Sequence, residues 1–169
     1  MNPNYTTTFT VNETAEEVFD AINNVRGWWS EAIEGDTDKL DTVFFYQAGD
    51  IHRCTFKITE FVPGKKVVWH VLSNYFNFVQ DKTEWTGTDV VFEINKKDGK
   101  TELRFTHVGL APAYECYDVC SDAWGRYINS SLRDLITTGK GQPNPSEGIH
   151  RDHDDIVTRT REMSAGLSE

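Results

Sequence analysis

The sequence is poor in cysteine and in basic residues, and each shortage excludes a class of protein. It has 3 cysteines among 169 residues, an odd number that does not suit a disulfide framework. Its 17 basic residues face 27 acidic ones, which gives a formal net charge of −10. Such a field repels phosphate backbones and anionic membrane surfaces, so we expect no nucleic acid partner. Solubility is a sufficient reason for the charge.

Long apolar runs are missing as well. No stretch approaches the roughly 20 apolar residues that a membrane-spanning helix requires, so we predict no membrane insertion. No secretory leader is recognisable before the first strand pattern. Together with the few cysteines, this predicts a reduced protein in the cytoplasm.

Aromatic residues, by contrast, are abundant. They make up 12% of the chain, with 5 Trp, 6 Tyr and 10 Phe. A chain of 169 residues suits one domain with a sizeable core. Rings that do not all fit into a tight core often line a pocket, although most of them could simply fill the core.

Alternation of apolar and polar residues predicts strands over most of the chain. Tyr5–Val11 is the first, and Thr14 then opens a helix, with Glu17 completing a capping box. We expect this helix to end near residues 26–27. Further strands are predicted at residues 42–48, 51–61, 65–74, 88–96 and 101–110, with another short strand between 31 and 40 and an aromatic loop at 75–87. Short turns with Gly, Pro and Asp between these strands indicate antiparallel hairpins.

The period of two sorts the strand residues onto two faces. The apolar face collects Cys54, Phe56, Ile58, Val67, Trp69, Val71, Val90, Phe92, Ile94, Leu103, Phe105 and His107. The polar face collects Thr55, Lys57, Thr59, Glu93, Asn95, Glu102 and Arg104. A sheet covered on one side only has this pattern.

Residues 116–139 predict one long amphipathic helix. Its apolar stripe is Tyr117, Cys120, Trp124, Tyr127, Ile128, Ser131 and Leu135. A curved sheet that wraps this helix would leave a hollow between the two. Residues after 141 are polar and charged, so we predict a tail over 142–169 with a short helix around 152–163.

Four segments in this order resemble a known group of proteins. They are residues 11–22 followed by Trp28 and Trp29, residues 58–71, residues 105–109 and residues 124–141. This set resembles the SRPBCC superfamily of START/Bet v 1-like proteins, in the branch named for the activator of heat shock protein 90 ATPase homologues. The resemblance implies an α+β helix-grip fold over residues 1–141. In that fold a curved antiparallel sheet of about seven strands grips the C-terminal helix, and two short helices follow the first strand.

The resemblance implies a cavity but no single reaction, because superfamily members include lipid and hormone carriers, polyketide cyclases, ring-hydroxylase subunits and chaperone activators. We expect such a cavity between the sheet and the C-terminal helix to bind a small hydrophobic or aromatic molecule. The candidate lining residues are Trp28, Trp29, Tyr46, His52, Trp69, Tyr75, Phe76, His107, Tyr117 and Trp124. The alternative is that these rings fill the core.

Other chemistry has weaker support, and we predict no catalytic residue, no metal and no cofactor. His52 and His107 could act as acid and base, yet a histidine on a covered face is more often structural. Cys116 and Cys120 are four residues apart on a helix, but two thiols do not complete a zinc site. His150, His153, Asp154 and Asp155 are possible metal ligands, but they lie in the predicted tail, where a solvated segment is the expectation. The acidic residues Glu16, Glu17, Glu31, Glu34, Asp36, Asp38 and Asp41 are interpreted as a solvent face.

Three functions remain open. The first is a carrier or sensor of a small hydrophobic molecule. The second is a chaperone-associated interaction module, which the resemblance alone implies. The third, a cyclase- or hydrolase-type enzyme using His52 or His107 as proton donor, ranks below binding. Exposed sheet edges could also pair two copies into a homodimer.

Overall fold

The structure, a computed structural model, describes residues 4–48, 52–76, 85–110 and 117–143. Its seven strands are β1 Tyr5–Val11, β2 Ile33–Glu34, β3 Val43–Ala48, β4 His52–Val62, β5 Lys66–Phe76, β6 Asp89–Lys97 and β7 Lys100–Val108. Its helices are α1 Ala15–Asn23, α2 Val25–Trp28, α3 Tyr117–Arg126, a π-helical segment Tyr127–Leu132 and α4 Arg133–Thr138. The predicted turn at residues 49–50, Cys116 and the predicted tail helix lie outside the described residues.

All seven strands form one antiparallel sheet in the order β1-β7-β6-β5-β4-β3-β2. Consecutive strands from β2 to β7 pair as a meander. The first strand joins the last, with Tyr5 opposite His107 and Val11 opposite Thr101. Every residue that the sequence assigns to the apolar face is buried. This is the helix-grip arrangement that the resemblance implies.

The region after β1 contains two short helices, as the resemblance implies. The Thr14 hydroxyl accepts a hydrogen bond from the Glu17 N–H at 3.1 Å and thereby caps α1. The helix stops at Asn24, whose N–H bonds back to the carbonyls of Asp20 and Ala21. A second helix, α2, begins at Val25. The single helix that the sequence predicted from Thr14 to residues 26–27 is therefore divided at Asn24.

A β-bulge between β4 and β5 changes which side chains face the helix. The register shifts between Thr55 and Phe56, which leaves Leu72 as the extra residue on β5. Leu72 itself is exposed, and beyond it the side chain of Asn74 is buried. Tyr75 therefore lies on the outer face, where the Arg53 guanidinium is 4.5 Å from its ring centroid. Tyr75, which the sequence placed in a loop and named as a candidate lining residue, belongs to β5, and the inserted residue inverts the alternation before it.

The C-terminal helix is interrupted by the π-helical segment. Of its predicted stripe Cys120, Trp124, Ile128 and Ser131 are buried, and the prediction fails near the end of the helix. The buried residues Cys120, Trp124, Ile128, Leu132 and Ile136 recur every four residues. In a regular helix a step of four overshoots one turn by about 40°, so this stripe would drift off the sheet. The wider π turns absorb that drift. Consequently Ile136 is buried, and Leu135, the predicted position, is only partly buried.

The end of this helix also follows from the sequence. Gly139 has φ 84° and its N–H bonds to the Leu135 carbonyl at 3.0 Å, which is a left-handed helix cap that favours glycine. Among the residues described, no helix has the length and apolar character to cross a membrane.

Candidate functional site

The space between the sheet and the C-terminal helix is occupied by aromatic rings in the described part of the chain. Trp29, with 2% of its surface exposed, lies at the centre of this cluster. Its ring centroid is 4.4 Å from Tyr46, 6.0 Å from Trp69 and 5.3 Å from Trp124. These distances are those of rings in direct contact. Core filling is therefore the role of Trp29.

The predicted lining residues fall into three groups. Buried among the core rings or against them are Trp28, Trp29, Tyr46, His52, Trp69, His107 and Trp124. Tyr117 packs, partly buried, against the same core. Tyr75 lies on the outer face, and Phe76 is the last residue of β5, with its side chain outside the described part.

His107, on β7, is held at both ring nitrogens. The Trp124 indole N–H donates to its Nδ1 at 3.1 Å, and its Nε2 is 2.8 Å from the Thr88 hydroxyl oxygen. Since an indole nitrogen only donates, Nδ1 carries the lone pair and Nε2 carries the proton. Nε2–H therefore donates to Thr88, whose hydroxyl donates to the Trp85 carbonyl at 2.5 Å. Both ring nitrogens of His107 and the Thr88 hydroxyl thus have hydrogen-bond partners.

Burial gives His107 a fixed charge state. Desolvation lowers the pKa of its imidazole from 6.5 to about 3, because the buried ring disfavours the charged form. The ring is neutral at physiological pH and both nitrogens are engaged. His107 is thus a structural link between β7 and the C-terminal helix rather than a proton donor.

His52, at the start of β4, has a different environment. Its Nε2 is 3.1 Å from the Asn74 side-chain oxygen, and the two residues are 5% and 6% exposed. Because an amide oxygen only accepts, His52 donates this hydrogen bond. The other end of the Asn74 amide, the Nδ2 group, has no hydrogen-bond partner within the described residues. Buried donors without partners are rare in folded proteins.

Trp85 connects the two histidines and was not identified from the sequence. Its ring centroid lies 5.1 Å from His52 and 4.7 Å from His107. It also stacks on Trp124 at 5.7 Å with an interplanar angle of 12°. The sequence placed it in an aromatic loop, and its tryptophan identity was the available signal. Asn74 carried no such signal, because the bulge that turns it inward is not visible in the alternation.

Tyr46, His52, Asn74 and Trp85 form what we call the His52 cluster. They lie at one end of the sheet, where Tyr46 and Asn74 flank Cys54 on neighbouring strands. The Tyr46 ring is 5.1 Å from the His52 ring. Two aromatic rings thus contact His52, whose partner Asn74 has an N–H group without a partner in the described residues.

Metal and thiol chemistry find little support in the same region. In the described ranges no group of three or more His, Cys, Asp and Glu side chains is placed to hold a metal ion. Cys54 is buried, and desolvation raises the pKa of its thiol well above 9.0, so it is a poor nucleophile. Cys120 is also buried.

Comparison with known proteins supports the fold. The sequence profile of the family described as Activator of Hsp90 ATPase homolog 1-like protein matches residues 12–137. The structure is similar to the solution structure of the Aha1 dimer from Colwellia psychrerythraea, with 23% sequence identity, a TM-score of 0.65, and coverage of 82% of this chain and 98% of that chain.

Two further structures show the same arrangement at lower identity. DynU16, a putative protein in the dynemicin biosynthetic locus, has 13% identity and a TM-score of 0.62, and the match covers 83% of this chain and 49% of that one. CalU16 from Micromonospora echinospora has 14% identity and a TM-score of 0.56, with coverage of 97% and 87%. At these identities the similarity concerns the fold. No curated protein matches the sequence.

Proposed function

The chain belongs to the family of Activator of Hsp90 ATPase homolog 1-like proteins, and from that premise we propose that it binds a small, neutral aromatic molecule bearing a hydrogen-bond acceptor. The proposed site is the His52 cluster, at the end of the space between the sheet and the C-terminal helix. The chain's charge of −10 disfavours an anionic ligand there. The protein would then act as a carrier or sensor.

One observation supports this proposal above the others, the Asn74 Nδ2 group that lacks a partner within the described residues. A buried polar group left unsatisfied costs about 1–3 kcal/mol. A carbonyl or hydroxyl oxygen of a bound molecule would accept this N–H and recover that free energy. Tyr46 and Trp85 would supply the aromatic surfaces, since both contact the His52 ring.

A matched pair of planar probes tests the acceptor. Fluorenone carries a carbonyl oxygen that fluorene lacks, while the ring systems have nearly the same shape. We expect tryptophan fluorescence to report binding of fluorenone about tenfold tighter than fluorene, equivalent to ~1.4 kcal/mol for one hydrogen bond. In Asn74→Leu the two affinities should become equal. Asn95→Leu, at an exposed position on β6, is the control and should retain the difference.

Two results would contradict the proposal. The first is that neither fluorenone nor fluorene binds. The second is that the two probes bind with equal affinity to the native protein, and that Asn74→Leu leaves this affinity unchanged. The first result would leave the rings with core filling as their whole role. The second would place the ligand away from Asn74.

An enzymatic use of the same site would depend on His52. Both ring nitrogens of His107 are engaged by Trp124 and Thr88, so His107 has no free position for a substrate. A cyclase- or hydrolase-type activity that survived His52→Gln would exclude this route.

A second candidate function, a chaperone-associated or self-associating module, is favoured by the outer face of the sheet. Val43, Leu72 and Val108 project there with 47%, 44% and 40% of their surfaces exposed. The similar Colwellia psychrerythraea protein is described as a dimer. Light scattering of Leu72→Glu beside the native chain tests self-association, and chaperone ATPase turnover tests the other partner. A cytoplasmic location remains a prediction.

A further inference from the structure

A second concave site lies at the opposite end of β4 from His52, outside the proposed ligand site. It is a groove with a volume of about 510 Å³, whose wall includes Phe19, Asp20, Asn23, Asp36, Asp38 and Phe61. We call it the acidic groove. Its residues come from α1, from the segment after β2 and from the far end of β4.

The apolar part of the wall is a pair of phenylalanine rings. Phe19 and Phe61 meet edge to face, with centroids 4.9 Å apart. Phe19 is buried and Phe61 is partly buried against the core. This pair offers a hydrocarbon surface, and aromatic faces also attract cations.

The charged part of the wall carries more negative charge than the neighbouring cations neutralise. Arg26 also belongs to the wall, but its guanidinium donates to the carbonyls of Ile33 at 3.1 Å and Gly35 at 2.9 Å. Lys39 is 3.6 Å from Asp36. Asp20 and Asp38 form no ion pair with any residue in the described ranges. Two carboxylates are thus available to a cationic ligand.

Asn23 adds an independent sign of a ligand. It is 7% exposed, and its side-chain oxygen has no hydrogen-bond partner in the part of the chain that the structure describes. Its backbone carbonyl accepts from the Thr37 hydroxyl at 2.7 Å, which fixes the end of α1 beside the groove. A buried acceptor of this kind calls for a donor from elsewhere.

The nature of the donor follows from the wall. A bare metal ion is disfavoured, because no set of three metal-ligating His, Cys, Asp and Glu side chains converges among the described residues. A guanidinium carries five N–H donors and a positive charge, and an alkyl chain attached to it would lie on Phe19 and Phe61. We infer that the acidic groove binds an alkylguanidinium group, at a site separate from the His52 cluster.

The test uses n-butylguanidinium and its uncharged analogue n-butylurea, titrated calorimetrically into the full chain. We expect saturable binding of butylguanidinium, weakened by added salt, and none of butylurea. Exposed ion pairs are individually weak, so Asp20→Asn and Asp38→Asn should each lower the affinity about threefold. Asn23→Ala, which keeps the backbone carbonyl, should lower it by a similar factor. Asp122→Asn, on α3, is the matched control.

A further arm identifies the source of the guanidinium. An acetylated Gly-Arg-Gly amide that binds more tightly than butylguanidinium would assign the groove to an arginine side chain of a peptide. Weaker binding would assign it to a free small cation. The inference fails if butylurea binds equally well, if Asp20→Asn with Asp38→Asn leaves the affinity unchanged, or if no binding occurs below about 10 mM, a limit near −3 kcal/mol.

Discussion

The two buried histidines contact Trp85 from two sides and belong to hydrogen-bond networks that end differently. His107 is 0% exposed, and its two nitrogens are joined to Trp124 and Thr88 in a complete network. His52 is 5% exposed and donates to Asn74, whose own N–H group has no partner in the described residues. Similar aromatic surroundings thus hold one saturated polar network and one open network.

The difference separates structural polar groups from candidate binding groups. A satisfied buried network stabilises one arrangement of the core, and a ligand would have to break it. In an open network the unpaired polar group already lowers the stability of the folded protein. A ligand that forms the missing hydrogen bond can therefore recover that free energy. Burial and residue type are alike in the two cases. The distinguishing feature is the count of hydrogen bonds.

The largest expected effect is the pH dependence of stability caused by His107. Its pKa is about 3 in the folded protein and 6.5 as a free side chain, so the unfolded chain binds more protons in this range. Stability is therefore complete above pH 6.5 and falls as the pH decreases towards 3. The slope is about 1.4 kcal/mol per pH unit for one group, which gives ~5 kcal/mol over the whole interval from pH 6.5 to 3 and ~2 kcal/mol of it between pH 6.5 and 5.

Urea unfolding at several pH values measures this loss. His107→Gln removes the titrating ring and should flatten the curve between pH 6.5 and 5, where most carboxylates remain ionised. A native protein whose stability is constant over that interval would show that His107 is not held neutral by the fold, and the comparison would lose its basis.

The next effect compares the two histidines by the same substitution. His107→Phe keeps the ring but leaves the Trp124 N–H without an acceptor, so we expect a loss of about 3 kcal/mol in the free energy of unfolding. His52→Phe removes the hydrogen bond to Asn74 and should cost about 1–2 kcal/mol. Urea unfolding at pH 7 measures both. Equal losses would mean that the two networks do not differ in strength.

A smaller effect is expected for the open network itself. Asn74→Leu removes a hydrogen bond to His52, but it also removes the N–H group that has no partner. These terms oppose each other, so the free energy of unfolding should change by less than about 1 kcal/mol. Thermal unfolding tests this. A loss above about 3 kcal/mol would indicate that the Asn74 amide is fully hydrogen-bonded and contributes to stability as His107 does.

The smallest effect concerns a third histidine, on the outer face. His70 Nδ1 is 2.7 Å from Asp89 Oδ1, but both side chains are more than one third exposed, at 37% and 41%. A contact this exposed contributes at most about 1 kcal/mol, so Asp89→Asn should lower stability by about 0.5 kcal/mol. Asp89→Asn therefore gives the smallest expected change in the free energy of unfolding among these substitutions. An effect as large as that of His107→Phe would show that burial does not control these energies.

Much of the fold could be predicted from local patterns, whereas the site could be predicted only in part. Alternation identified the strands and their buried face, and Thr14 marked the start of α1 as a helix cap. Trp85, Asn74 and Thr88 were missed, although they make the contacts that distinguish His52 from His107. Their roles depend on hydrogen bonds between strands and across loops, and local periodicity holds no information on those pairings.

The acidic groove illustrates the same limit. Phe19 and Phe61 are 42 positions apart in the printed sequence, and only the tertiary structure brings their ring centroids to 4.9 Å. Asp36 and Asp38 were interpreted as part of a solvent face, which is the usual fate of such residues. Their position beside the unpartnered Asn23 oxygen could not be read from spacing.

The amino-acid sequence by itself determined the order of the elements, the apolar face of the sheet and the family, because each depends on repeats of two to four residues or on short motifs. Only the tertiary structure decided that a bulge at Leu72 turns Tyr75 outward and Asn74 inward, and that π-helical turns keep Ile136 on the sheet. It also decided that both ring nitrogens of His107 are hydrogen-bonded, and that the Asn74 amide beside His52 keeps an N–H group without a partner in the described residues. The physical reason is that burial follows the local period, whereas hydrogen-bond partners come from residues distant in the chain.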